Sequence, residues 1–291
     1  MRWTPVLLVV GVALLFSTPT FAQDSIAMDG CSQMGCCGDQ CADTCLAAPC
    51  RGGGLIGNVE LTFMKYMQEG GVCNADGTGA DFNLHCTPRF ELGYLGSRNV
   101  GFRGRYWYYD DNTAANDGDN VGIDTYYVDA EMFFDRYLGE KTWLECSLGL
   151  RYLDFQQDAM GNRGQEFANC SFVGWGGTLG IEAKHRFSFG NLYARGRWSV
   201  LLGNEDLAYH INETTGMTTF HDSTSTQTEL GVGVEVNRNL GRLGMASVRV
   251  GGEWQTWENI VAADNGAGFG QDDSLKDAGF AGVVLRMELR R

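Results

Sequence analysis

Residues 124–138 read DTYYVDAEMFFDRYL. Every second side chain, from Tyr126 through Val128, Ala130 and Met132 to Phe134, is apolar or aromatic, while the set between them, Thr125, Tyr127, Asp129, Glu131 and Phe133, holds two carboxylates. A period of two puts these sets on opposite faces of an extended strand. One face suits hydrocarbon and the other a polar interior, the amphipathic pattern of a membrane-barrel strand.

The same alternation continues in both directions. At 99–110, Val100, Phe102, Tyr106 and Tyr108 oppose Arg103, Arg105 and Trp107. At 141–156, Leu144, Cys146, Leu148 and Leu150 oppose Glu145, Ser147 and Arg151. At 169–186, Val173, Trp175, Leu179 and Ile181 oppose Glu182 and Lys184, and at 190–204, Leu192, Ala194, Trp198 and Val200 oppose Arg195 and Arg197. Segments 227–238, 244–258 and 277–290 set Val232, Val248 and Val283 and their like against Glu229, Glu235, Arg249, Glu253, Arg286 and Glu288. Two weaker segments come first, 55–67 with Val59, Leu61 and Phe63, and 87–97 with Phe90, Leu92 and Tyr94. The count is about ten strands, with eight or twelve still compatible.

Connections sharpen this reading. Short ones at 96–99, 138–140, 187–189 and 239–243 alternate with long polar ones at 68–86, 111–120, 157–168, 205–226 and 259–276. That order is expected of an all-β, transmembrane, antiparallel up-and-down β-barrel over residues 55–291, with short periplasmic turns and long extracellular loops. Aromatics gather at strand ends, with Tyr106, Trp107, Tyr108, Tyr109, Tyr126, Tyr127, Tyr152, Trp254 and Trp257 beside the long loops and Phe133, Phe134, Tyr137 and Trp143 beside the short turns. Two interfacial girdles are expected there.

Composition excludes other classes. The chain of 291 residues carries 22 Lys plus Arg against 36 Asp plus Glu, a net charge of -14, which leaves no basic face for nucleic acid. With 41 Gly, 4 Pro and 12% aromatics it fits neither a disordered nor a helical chain. After the apolar run Val6–Phe16, no stretch approaches the roughly 18 residues of a spanning helix. Arg2, that run and Thr20-Phe21-Ala22 together read as a signal peptide over 1–22. Residues 23–54 then form a cysteine-rich periplasmic tail with Cys31, Cys36, Cys37, Cys41, Cys45 and Cys50. In an exported chain these are disulfide candidates, as are Cys73 and Cys86 around a polar loop, and they would link within the chain, to envelope proteins or to another copy. CC and CxxxC occur without CxxC, so no metal site is assigned.

Function then turns on the inward set. Arg103, Arg105, Arg151, Lys184, Arg195, Arg197, Arg249 and Arg286 face Asp129, Glu131, Glu145, Glu182, Glu229, Glu235, Glu253 and Glu288, a charged but balanced interior. These sixteen are the pore-lining candidates of a narrow, porin-like pore for small solutes or ions. The alternative is a closed structural or adhesive barrel whose lumen is locked by ion pairs, because eight strands leave an interior that side chains just fill and ten leave little more. No HExxH, GxSxG or P-loop occurs, and Gly174-Trp175-Gly176-Gly177 lacks the third glycine of a dinucleotide site. A rim-active hydrolase would draw on His210 and His221 with Asp206 and Asp222, or on Asp110 and Asp111. The run 116–120 (NDGDN) reads as a solvated turn, with Ca²⁺ binding as the alternative. The expectation is a non-enzyme without cofactor, whose main partner is outer-membrane lipid.

The blocks GFRGRYWYYD at 101–110, DTYYVDAEMFFDRYL at 124–138, LECSLGLRYLDF at 144–155 and GTLGIEAKHRF at 177–187 resemble the Legionella-type major outer membrane protein family, which has divergent members in planctomycete-type bacteria. The resemblance spans about residues 55–290. It implies a pore-forming barrel in the outer membrane of a Gram-negative-type bacterium and assigns no functional residues. The chain departs from the group in its cysteine-rich tail and in ending Leu289-Arg290-Arg291 without a terminal aromatic.

Overall fold

The computed structural model describes residues 54–68, 72–73, 79–96, 98–114, 120–160, 167–211, 214–241, 244–262 and 275–290. The proposed signal peptide, the cysteine-rich tail with Cys31 to Cys50 and the turn 116–119 lie outside them. The strands are β1 (Gly54–Gln68), β2 (Val72–Cys73), β3 (Gly79–Ala80), β4 (His85–Leu95), β5 (Val100–Ala114), β6 (Asn120–Leu138), β7 (Thr142–Met160), β8 (Phe167–Phe187), β9 (Gly190–Ile211), β10 (Thr214–Asn239), β11 (Met245–Ala262) and β12 (Leu275–Arg290). β2 and β3 pair only with each other, and the other ten close into a barrel in the order β1-β12-β11-β10-β9-β8-β7-β6-β5-β4. Every neighbouring pair is antiparallel.

Parity along each strand decides which side chains meet lipid. In β6, Val128, Met132 and Phe134 are exposed outward while Tyr127, Asp129, Glu131 and Phe133 are buried inside. The outer wall is an apolar belt bearing Leu92, Phe102, Leu148, Trp175, Trp198, Leu202, Val232, Val250, Trp254 and Met287, all exposed. Such a belt costs free energy in water and gains it in hydrocarbon. Inward glycines make room for bulky neighbours. A Cβ on Gly251 would meet the Tyr193 hydroxyl at 2.3 Å, and one on Gly101 would meet the Phe133 ring at 2.3 Å.

The strands outrun the belt. A membrane crossing takes roughly 9–11 residues, yet β8, β9 and β10 have 21, 22 and 26. The expected long loop 205–226 is therefore corrected: Glu205–Ile211 and Thr214–Thr226 continue β9 and β10 in register, through one irregularity between Phe220 and Ser223. Its threonines are strand formers, and Thr218, Thr219 and Thr224 stand exposed where the outer face has left the membrane. The expected loop 157–168 likewise loses its first residues to β7 and its last to β8. Among the described residues, β10 pairs with β11 only from Thr226↔Glu258 toward the short turns, and β5 with β4 only from Trp107↔Arg89. Beyond those pairs the wall parts into two leaves, β5 to β10 and β11-β12-β1-β4.

Candidate functional site

The strand faces that bear the inward candidates converge on the barrel interior, which is filled in two layers. The layer nearer the short turns is ionic. Arg105 donates to Glu229, Nη2 to Oε2 at 3.1 Å, between β5 and β10, which stand five places apart in the ring of ten and so face each other across its full width. Arg151 pairs with Asp129 at 2.7 Å and with Glu229 at 2.6 Å. Arg197 pairs with Glu131, and Arg103 reaches Glu131 at 2.8 Å and Glu145 at 2.5 Å. On the opposite wall, Arg249 holds Glu182 at 2.8 Å and pairs with Glu235, and Lys184 holds Glu235 at 2.9 Å. Arg286 meets Glu288 at 2.6 Å, and Arg195 pairs with Glu253. All sixteen sequence candidates thus lie inside the barrel, in three ion-paired groups: one around Asp129, Glu131 and Glu229, one around Glu182 and Glu235, and one around Glu253.

Five members escaped the sequence reading. Glu60 and Arg89 pair with each other, and Arg195 reaches Glu60 at 3.0 Å while Arg89 reaches Glu253 at 2.7 Å. Glu91 accepts from Arg286 at 3.3 Å, and Arg290 and Asp135 close the short-turn end at 4.0 Å. The parity of Val59, Leu61, Phe90 and Leu92 already implied Glu60, Arg89 and Glu91, which occupy the alternate positions. Burying so many charges is tolerable only with every head group paired, since an isolated ion there costs several kcal/mol. One polar cavity of about 10 Å³, lined by Glu91, Arg103, Glu145, Glu182, Arg249 and Arg286, has room for about one water.

Toward the long-loop rim the interior becomes aromatic. Trp107, Tyr109, Tyr127, Phe155, Phe172, Trp257 and Phe280 are fully buried. Trp257 packs against Phe280 at 4.9 Å, Trp107 at 6.0 Å and Phe155 at 6.0 Å between ring centroids. Such pairs add about 0.5–1.5 kcal/mol each beyond burial. The expected girdle is corrected here: Trp107, Tyr109, Tyr127, Phe133, Trp143 and Trp257 point inward, while Tyr106, Tyr152, Trp254 and Phe134 face outward. The residue types alone do not separate the two roles, but parity does. The layers are joined by Arg151, 4.1 Å over the Tyr127 ring, and by Trp107, whose indole nitrogen donates to Thr87 at 3.1 Å.

The rim candidates take separate places among the described residues. His221 lies on the outer wall with Nδ1 3.4 Å from the Asn204 amide oxygen, and Asp206 accepts from Thr219 at 2.6 Å. The His210 side chain lies outside the described residues. Asp111 meets His85 at 3.7 Å and the Tyr109 hydroxyl at 3.3 Å, while Asp110 faces outward. Above the belt, Glu205 is buried, its Oε1 is 3.5 Å from the Cys170 thiol and its Oε2 has no hydrogen-bond partner. Burial pushes its carboxyl up to about 7. The Cys73 side chain lies outside the described residues. Cys86 is a free, exposed thiol, because it shares the outward parity of Phe90 and Leu92.

A closed antiparallel barrel with this belt is an outer-membrane β-barrel. Among solved structures, the chain is similar to the outer membrane protease OmpT of Escherichia coli, with a TM-score of 0.56 and 11% identity over 82% of this chain and 97% of that one. It is also similar to the translocator domain of the autotransporter NalP of Neisseria meningitidis, with a TM-score of 0.43 and 12% identity over 87% and 93%. The toluene transporter TodX of P. putida gives 0.33 and 9% identity over 85% and 91%. No family model and no curated protein matches the chain. At these identities the likeness is one of fold.

Proposed function

We propose that this protein is a closed outer-membrane barrel, an anchor that holds a stiff β-wall above the membrane and does not conduct through its lumen. The single observation that carries this reading is the Arg105–Glu229 bridge across the full width of the ring, beneath an aromatic layer that excludes solvent. A narrow, porin-like pore, the role implied by the family resemblance, needs the wall charges to pair along the wall and leave the axis open. Here they pair across it. The cysteine-rich tail would then tether the anchor to envelope proteins or to a second copy through disulfides.

Liposome swelling tests this. Vesicles carrying the refolded protein should swell no faster than empty vesicles in isotonic small sugars. Swelling that quickens as the solute gets smaller would establish the pore and overturn the closed reading.

A further inference from the structure

The two boundaries of the lipid-facing belt carry opposite charge. On the short-turn side, Arg136 follows Phe134 by two residues and Arg238 follows Val236 by two, so parity sends both outward, one step beyond exposed apolar side chains. Arg98 and Lys141 stand exposed in the turns beside them. On the rim side the same step past the belt is acidic, with Asp110 after Tyr108 and Asp154 after Tyr152, both on the outer wall.

The inward basic residues all find carboxylates. Among the described residues, Arg98, Arg136, Lys141 and Arg238 have no carboxylate within 4.0 Å, and Glu140 is the one acidic side chain in the short turns. Long cationic side chains at a belt edge lay their stems on apolar surface and extend their heads to headgroup level. A surface of that sign attracts anionic lipid.

We propose that the short-turn boundary is a seat for anionic phospholipid, whose headgroup phosphates accept hydrogen bonds from Arg98, Arg136, Lys141 and Arg238. On the rim boundary, where Asp110 and Asp154 face outward, Lys65, which follows Phe63 on the outer wall, is held by Asp81 at 2.6 Å, so the protein distinguishes the lipids of its two leaflets. Exposed phenylalanines in the same turn, Phe187 and Phe189, stacked at 5.9 Å, lie at the level where an aromatic anchors to headgroups.

The test is lipid selectivity at the barrel surface, measured with the full chain refolded into phosphatidylcholine vesicles containing spin-labelled phosphatidylglycerol or spin-labelled phosphatidylcholine. Phosphatidylglycerol should associate roughly two- to fivefold more strongly, and molar salt should remove the preference. Replacing the four residues by Gln should bring the ratio to one, while Asp110→Asn with Asp154→Asn should leave it in place. If the fourfold variant does not refold, Arg136→Gln and Arg238→Gln singly should each lose part of the preference. Equal association in the unaltered protein, or a preference that survives the Gln substitutions, would overturn the proposal.

Discussion

The interior's two layers solve one packing problem with opposite chemistry. Within the belt, the space is filled by guanidinium and carboxylate groups that bridge the ring, whereas above it the space is filled by Trp107, Trp257, Phe280 and their neighbours as in a water-soluble β-sandwich. The contrast follows from what surrounds each layer. Inside the membrane the wall already spends its apolar side chains on lipid, so the alternate positions are polar and must satisfy one another. Above the membrane the outer face meets water and turns to Thr, Ser and Asp, so the apolar residues move inside and the wall parts into two packed leaves.

The largest effect should come from breaking the ionic layer. Glu229→Ala removes the carboxylate that Arg105 and Arg151 reach across the ring, leaves both guanidinium groups with Asp129 as their carboxylate partner, and should cost about 3–5 kcal/mol in denaturant unfolding from detergent, whereas Arg105→Met combined with Glu229→Met should cost far less. Equal losses would show that volume matters and charge pairing does not. Trp257→Ala should cost a similar or slightly smaller amount, about 3–5 kcal/mol, but its damage should be local, with the rim leaves cleaved by protease while the belt stays folded. Val128→Arg places a charge in lipid and should cost roughly 2–4 kcal/mol. Thr218→Arg, exposed above the belt, should fall within about 0.5 kcal/mol of the unaltered protein.

A smaller effect isolates the interior above the belt, at β9. Glu205 lies above the belt, and its carboxyl, pushed up to about 7 from an ordinary 4.5, is buried with one oxygen unpartnered. A carboxyl whose folded value is raised contributes its full stability below 4.5 and loses it as pH rises through about 7. The rim should therefore resist protease better at acidic pH. Glu205→Gln should flatten that dependence and gain about 1–3 kcal/mol at alkaline pH, and an unchanged pH profile would remove Glu205 from the account. The smallest effect is expected at Cys86, where Ser substitution should leave stability and gel mobility unchanged, since the thiol is free.

Much of this was legible in the chain. The alternation in 124–138 decides both strand and facing, and the same parity applied at 55–67 and 87–97 would have delivered Glu60, Arg89 and Glu91 to the ionic layer. Strand length above the membrane was not legible. Residues 214–226 carry Thr and Ser on both faces, so no period marks them, and they are ordered through pairing with β9. The destination of the aromatics was half hidden, because Trp107 and Tyr106 are the same kind of residue one position apart, and only the Arg105 that shares a face with Trp107 shows which points inward. Pairing across the ring is a property of three-dimensional closure, which a list of alternating charges does not contain.

Single-channel recording in a planar bilayer tests the closed lumen most directly. The refolded protein, inserted at a density verified by antibody or fluorescent label, should give no conductance steps above the bare membrane. Regular steps from the unaltered protein would contradict the account.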